Sequence, residues 1–432
     1  MRKKIIIFLE ILIITLIAFL TLIIVDTKKL NAIVTSTTNN ILKVIDKNNI
    51  EYQFNYDTSD IIIGSNIEIK YSHTSNKVYN YEEINKYPNV PTSWIDNGIF
   101  SNYYNLAYNK LKTLTLEEKT GQLFLVRYDE KNDIENLKKY NFGGYVFFKK
   151  DFNNKTTEEV KKMINNLQKN SNIPLLTAVD EEGGTVVRIS TNKNLYHTPF
   201  KSPSELYKLG KFELIKEDTI NKNNLLSSLG INLNLAPVVD VSTNKNDYMF
   251  KRSIGLSTEL TSEYAKTVIE TSKNSSVSYT LKHFPGYGNN LDTHIGSSKD
   301  IRSYESILKN DIPPFKAGIN SGAEAVLISH NIVTSIDNKN PASLSNKVIN
   351  LLTNDLNFTG IIITDDLDMG ATNKIKDASI KALLAGNTLL ITTNYENVNL
   401  VINAVNNNII DESLIDQLAF KILSWKYYKG LL

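Results

Sequence analysis

Apolar and polar positions follow two rhythms along this chain, after an opening run that belongs to neither. Residues Ile5 to Val25 are apolar except for Glu10, Thr15 and Thr21, and Arg2, Lys3 and Lys4 precede them. Twenty-one residues in a helix span about 31 Å, the thickness of a hydrocarbon core. The run closes on Val25-Asp26-Thr27-Lys28-Lys29, with no small-x-small cleavage site. Residues 1–29 are therefore expected to be an uncleaved signal anchor that crosses the cell membrane once. The basic N-terminus favours an extracytoplasmic body; secretion after signal cleavage is the alternative. Residues 30–100 are rich in Asn, Ser and Thr, with short alternation at Ile50, Tyr52, Phe54 and Tyr56 and again at Ile67, Ile69 and Tyr71. They predict a spacer or a small β-containing element, with His73 at its surface.

From residue 101 onward, short apolar runs alternate with stretches of helical period. The runs predict strands at Leu123–Tyr128, Gly144–Phe148, Leu175–Asp180, Asn232–Val239, Ser278–His283, Ala325–His330, Ile361–Asp365 and Leu389–Thr392. Helices are expected between most of them, over 156–169, 213–229, 258–274, 344–355, 375–385 and 395–407, and a last amphipathic segment covers 411–428. Strands that alternate with helices over 101–432 fit an α/β fold, a single TIM-like (β/α)8 barrel. A doubly wound open sheet fits the same pattern less well.

Composition narrows the chemistry. The 48 Lys and Arg against 46 Asp and Glu leave a charge of +2, without the clustered basic surface that a nucleic-acid partner requires. The absence of cysteine excludes disulfides, thiolate metal sites and a cysteine nucleophile. No phosphate-binding glycine loop, dinucleotide fingerprint or G-x-S-x-G elbow is present, so no cofactor is expected. A metal site built from Asp292, His294, His283 and Asp365 would match no standard ligand spacing.

Several predicted strands instead end on polar residues: Asp180-Glu181-Glu182, Lys282-His283, Ser329-His330-Asn331 and Thr364-Asp365-Asp366. A barrel brings such ends to one mouth. Asp365 follows Ile361-Ile362-Ile363-Thr364, so a buried strand would present it rigidly, which suits a nucleophile. Asp292-Thr293-His294 lies in a Gly- and Asn-rich loop. There a carboxylate two positions away can orient an imidazole that gives and takes a proton in successive steps. Lys282 and Arg252 can donate to hydroxyls and balance Asp180 and Asp365.

At these residues the chain resembles glycoside hydrolase family 3, in its β-N-acetylglucosaminidase (NagZ-like) branch. The matching stretches include Asp180-Glu181-Glu182-Gly183-Gly184 with Arg188, Asn234-Leu235-Ala236-Pro237-Val238-Val239-Asp240 and Lys251-Arg252-Ser253-Ile254-Gly255. They continue with Lys282-His283-Phe284-Pro285-Gly286, Asp292-Thr293-His294 and Thr364-Asp365-Asp366-Leu367-Asp368-Met369. The resemblance implies a retaining exo-β-N-acetylhexosaminidase that acts on terminal β-linked N-acetylglucosamine of wall-derived or related glycans. It implies Asp365 as nucleophile, His294 as acid/base oriented by Asp292, and sugar-binding positions at Asp180, Arg252, Lys282 and His283, with Arg188 in support. Phosphorolysis, β-glucosidase activity and a silent glycan-binding role are the alternatives on this scaffold. Two departures concern the loop. Tyr287 stands where the branch usually has histidine, and three residues (289–291) separate Gly288 from Asp292, where many members have four.

Overall fold

The computed structural model describes the backbone of residues 2–38, 40–288, 293 and 296–432, and the side chains of these except 2–7, 19, 20 and 22–25. Two compact units divide the chain, one made of residues 1–95 and 102–109 and the other of 96–101 and 110–432.

The first unit opens with a helix, Arg2–Asp26. Its polar interruptions are satisfied within the helix, since the hydroxyls of Thr15 and Thr21 donate back to the carbonyls of Ile11 and Ile17 at 2.8 and 2.5 Å. Phe8, Leu9, Ile13 and Ile14 are exposed. Among the described residues, however, no helix is long and apolar enough to cross a membrane, so the anchor expected over 1–29 does not follow from the fold. Five strands come next: β1 (Thr27–Thr38), β2 (Ile41–Asp46), β3 (Glu51–Asn55), β4 (Asn66–Ser72) and β5 (Val78–Asn85). They form an antiparallel sheet in the order β3-β2-β1-β4-β5. Alternate residues of β1 and β4 turn to one face, where Leu30, Ala32, Val34, Ile67, Ile69 and Tyr71 pack with Leu42, Val44 and Phe54. The alternation read at 67–71 is this buried face. Ile50 does not share it: it lies in the turn before β3 and is exposed.

In the second unit the parallel strands are β6 (Phe124–Arg127), β7 (Gly144–Phe147), β8 (Leu176–Val179), β9 (Leu233–Asn234) and β10 (Ser278–Phe284). A short pair, β11 (Lys299–Asp300) and β13 (Ile332–Val333), flanks β12 (Ala325–Ile328), and β14 (Ile361–Thr364) and β15 (Leu390–Thr392) complete the set. The main sheet runs β14-β12-β10-β9-β8-β7-β6-β15. Its two ends meet, because the Thr364 amide donates to the Leu389 carbonyl and the Leu389 amide to the Ile362 carbonyl, both at 3.0 Å. Chain order therefore runs once around a closed ring, which excludes the doubly wound sheet with its reversal and two free edges. Each strand buries every residue or nearly so, as parallel strands covered on both faces must. Of the strand expected over Asn232–Val239, two residues form the ladder, and bonds such as Leu235 amide to Val179 carbonyl and Val239 amide to Lys282 carbonyl, both at 2.8 Å, carry the pairing on past them.

The last helix, Glu412–Tyr428, turns its buried face to the amino ends of the strands. Trp425 Nε1 donates to Glu324 Oε2 at 2.7 Å and Lys429 Nζ to Glu324 Oε1 at 3.0 Å, just ahead of β12. Lys426 Nζ donates to Gln122 Oε1 at 2.6 Å and the Gly143 carbonyl at 3.0 Å, just ahead of β6 and β7. Among the described residues no carboxylate pairs with this fully buried amine, and burial pushes it down from 10.5 to about 7. Between those values the unfolded chain binds more protons than the folded one, so this group adds stability as pH rises from about 7 toward 10.5. Denaturation midpoints of the wild type should accordingly climb over that interval relative to those of Lys426→Met. Equal pH slopes in the two proteins would rule out a neutral buried amine.

Candidate active site

The carboxyl ends of the strands surround a cavity of about 1130 Å³. Asp180 and Glu182 reach it from just after β8, Lys282 and His283 from β10, and Asp365 from just after β14. The loop after β9 brings Arg252, and Arg188 completes the wall near Phe148. Six of the residues singled out in the sequence, Asp180, Arg188, Arg252, Lys282, His283 and Asp365, thus line one cavity. Asp292 and His294 lie outside the described residues.

Opposite charges tie the floor together. Lys282 Nζ donates to Asp180 Oδ1 at 2.7 Å and lies 2.6 Å from Glu182 Oε1. Arg252 forks the same glutamate, Nε to Oε2 at 3.0 Å and Nη2 to Oε1 at 2.7 Å. The Lys282 and Glu182 side chains are only 3% and 1% exposed, so each would be costly to bury alone. Burial pushes the Glu182 carboxyl up, but Arg252 and Lys282 overcompensate and hold it far below its usual range. Burial likewise lowers Lys282, and Asp180 and Glu182 more than restore it. Arg188 Nη2 stands 3.8 Å from Asp180 Oδ2.

His283 is fixed at both nitrogens. Arg252 Nη2 lies 3.3 Å from its Nε2 and Asp240 Oδ2 2.7 Å from its Nδ1. The ring is thus held between a guanidinium on one side and a carboxylate on the other. Glu181, one residue from the cavity wall, shapes the strand-end loop instead. Its carboxylate accepts from the amides of Arg188, Ile189 and Ser190 at 2.8, 2.8 and 3.1 Å and from the Ser190 hydroxyl at 2.5 Å.

Adjacent aspartates at the end of β14 diverge. The Asp365 amide donates to the Ile328 carbonyl at 3.0 Å, and Asp365 Oδ1 accepts from the Asp366 amide at 2.9 Å. Burial raises its carboxyl, yet His330, His283, the Asp366 amide and Lys282 bring it below the usual range. Asp365 is therefore ionised at neutral pH. Burial, together with Asp368 and Asp365, pushes Asp366 up to about 6. Asp368 Oδ2 ties this turn to the end of β15 through the Thr392 hydroxyl at 2.7 Å and the Thr393 amide at 2.6 Å. His330 braces the turn from below, with Nε2 2.9 Å from the Asp366 carbonyl and Nδ1 2.7 Å from Ser343 Oγ. A rigid anionic oxygen beside several fixed donors can bind a polyol and attack an electrophilic carbon within it. Among the described residues no group of His, Asp and Glu is arranged to hold a metal ion.

Sequence reasoning assigned no role to Glu182, Asp240 or His330. The first two sit inside runs already singled out, Asp180-Glu181-Glu182 and Asn234 to Asp240. His330 was visible only as a polar end to a predicted strand.

Similarity to known proteins agrees with this geometry. Residues 115–425 match the model of the glycosyl hydrolase family 3 N-terminal domain. A protein named β-hexosaminidase from Actinobacillus pleuropneumoniae serotype 3 (strain JL03) is 31% identical over 276 residues, which cover 61% of this chain and 77% of that protein. One of the same name from Xylella fastidiosa (strain M23) is 30% identical over 237 residues, covering 54% and 69%. The solved glycoside hydrolase family 3 β-N-acetylglucosaminidase of Paenibacillus sp. str. FPU-7 superposes with a TM-score of 0.69 at 28% identity, over 74% of this chain. The present chain spans 63% of that protein's length.

Glu182 gives the charge network a direct test. Its depressed carboxyl contributes stability that is present above its ordinary value of 4.5 and is lost as pH falls through the native value. Glu182→Gln should cost about 3 kcal/mol near neutral pH, and its deficit against the wild type should shrink on acidification below 4.5. A deficit independent of pH in urea denaturation would contradict the account.

Proposed function

The chain belongs to glycosyl hydrolase family 3, and on that footing we propose that it is a retaining exo-β-N-acetylhexosaminidase of the NagZ-like branch. It hydrolyses terminal β-linked N-acetylglucosamine from wall-derived or related glycans. The observation that carries this reading is Asp365: an ionised carboxylate, rigid at a strand end, within a cavity of paired charges. The similarity to proteins named β-hexosaminidase supports the substrate class.

In this reading Asp180, Lys282, His283 and Arg252 hold the hydroxyls of the terminal sugar, and Arg188 supports Asp180. The Asp365 oxygen attacks the anomeric carbon, and the bond to the leaving oxygen breaks as that oxygen takes a proton from His294. A glycosyl-aspartate results. Water then gives its proton to His294, attacks the same carbon and releases Asp365, so two inversions retain configuration. Asp292 orients the imidazole. The ionised state of Asp365 matches its role, since a protonated carboxyl would have no charge to offer. We further infer that the helix over residues 5–25 holds the enzyme at the cell membrane, with the body extracytoplasmic. Support comes from the sequence, where residues 5–25 are apolar but for Glu10, Thr15 and Thr21 and follow a basic N-terminus, and from the exposure of Phe8, Ile13 and Ile14.

Full-length enzyme in detergent should cleave 4-nitrophenyl N-acetyl-β-glucosaminide and leave the β-glucoside nearly untouched. Preference for the glucoside would overturn the substrate assignment, and a sugar 1-phosphate formed on adding phosphate would make it a phosphorylase. Asp365→Ala should lose several orders of magnitude in kcat while staying folded, and a modest loss would remove Asp365 as nucleophile. On cell fractionation the wild type should sediment with membranes and a protein lacking residues 1–29 should not; equal distribution of the two would refute the anchor.

A further inference from the structure

Of the polar strand ends, Ser329-His330-Asn331 alone has no part in the proposed reaction. His330 lies just after β12, is fully buried and does not line the cavity. An imidazole sealed from water needs partners at both nitrogens, and it has them. Nε2 lies 2.9 Å from the Asp366 carbonyl and Nδ1 2.7 Å from Ser343 Oγ. A carbonyl only accepts, so Nε2 carries a hydrogen in either charge state of the ring. A hydroxyl can donate to a neutral ring or accept from a charged one, so the ring keeps its direction through a change of charge. Ser343 is itself fixed. It sits in the turn Ala342–Leu344, its amide donates to the Ser329 carbonyl at 3.0 Å, and its carbonyl accepts from Asn387 Nδ2 at 2.7 Å. Asn387 is buried ahead of β15, and the same Nδ2 donates to the Ala382 carbonyl at 2.8 Å.

On its other side the ring meets the turn that carries the nucleophile. The Asp366 carbonyl also accepts from the Met369 amide at 3.0 Å, and the Leu367 amide, in the same peptide, donates to the Ile391 carbonyl at 3.0 Å. The peptide after Asp366 is thus held at its oxygen and at its nitrogen. The peptide before it carries the Asp366 amide, which donates to Asp365 Oδ1 at 2.9 Å. Asp365 hangs from the Ile328 carbonyl through its own amide. The Asp365 carboxylate cannot swivel without breaking its bond to this backbone. Backbone groups make the other bonds to that peptide; His330 makes its bond with a side chain, which a substitution can remove. Burial raises the Asp365 carboxyl, and His330 leads the groups that bring it back down.

We infer that His330 is a positioning residue for the nucleophile: with Ser343 behind it, it fixes the Asp366 carbonyl and, through that turn, the direction in which the Asp365 carboxylate faces the sugar. The inference rests on the reading of Asp365 as nucleophile. An oxygen that must come in line with the anomeric carbon gains from such a hold, because orientation supplies part of the barrier.

The test compares full-length wild type, His330→Phe, His330→Gln and Ser343→Ala in detergent, each checked for folding by thermal melting. The probe is 5-fluoro-β-N-acetylglucosaminyl fluoride. Attack by the Asp365 oxygen forms an ester to the anomeric carbon and expels fluoride ion, which leaves without a proton donor; the 5-fluorine slows hydrolysis of that ester. The rate of mass gain on the peptide containing Asp365 therefore reads the nucleophile's attack. A misplacement of about 1 Å costs on the order of 100-fold. His330→Phe should label more slowly by about that factor. His330→Gln, whose amide can donate to the same carbonyl, should recover most of the rate, and Ser343→Ala should fall between. Inhibition by N-acetylglucosamine should stay at the wild-type level in all of them, because Asp180, Arg252 and Lys282 are untouched. Labelling of Asp365 at the wild-type rate in folded His330→Phe, or in Ser343→Ala should the former not fold, overturns the inference. So does a loss that His330→Gln fails to recover and that N-acetylglucosamine binding shares. If the wild type gains no mass at Asp365, the nucleophile reading itself falls and the inference with it.

Discussion

A lysine buried to 3% exposure between two carboxylates sets the terms for the rest of the catalytic end. An ammonium removed from water must be repaid by charge at contact distance, and Lys282 meets Asp180 and Glu182. Two carboxylates on one ammonium leave an excess of negative charge. Arg252 answers it by forking Glu182, and Arg188 by facing Asp180. Arg252 in turn fixes one nitrogen of His283, and Asp240 fixes the other. No member can rotate away without stranding its partner. The donors and acceptors a sugar would meet are therefore in place before it arrives, and their orientation costs nothing at the moment of binding.

The same network divides the labour of two neighbouring aspartates. Asp365 and Asp366 are alike in covalent structure and both largely buried, yet one is driven down and the other up to about 6. The difference lies in what surrounds each: histidines and Lys282 beside Asp365, carboxylates beside Asp366. The nucleophilic role proposed for Asp365 requires an anion at the working pH. A neighbour whose charge is partly suppressed does not compete with it for the cationic surroundings.

Much of this was legible in the sequence, for identifiable reasons. Parallel strands sealed on both faces read as unbroken apolar runs, so all eight barrel strands announced themselves, and polar residues terminating such runs marked the mouth. Helices of low apolar contrast were not visible: Asp133–Tyr140 buries only Leu137 and Tyr140, and Tyr304–Asn310 only Ile307. Strand β1 was obscured because its buried positions include Ala32, while Lys28 and Lys29 read as the flank of an apolar helix. Glu182, Asp240 and His330 carry out their tasks through partners more than thirty residues away, and no local pattern records such a pairing.

The contacts at the amino ends of the strands bear on how the protein is made. Lys426 and Gln122 meet across 304 positions of chain, and Trp425 and Glu324 across 101. Strands β6 and β15, the first and last of the barrel in chain order, likewise pair with each other. Until β15 is made, β6 and β14 lack the strand that joins them, and a nascent barrel would carry two unpaired edges. Such a form is prone to pair with its neighbours. Completion of the ring is thus a late, long-range event whose cost is loop-closure entropy. Throughout synthesis the growing barrel depends on whatever shields those edges.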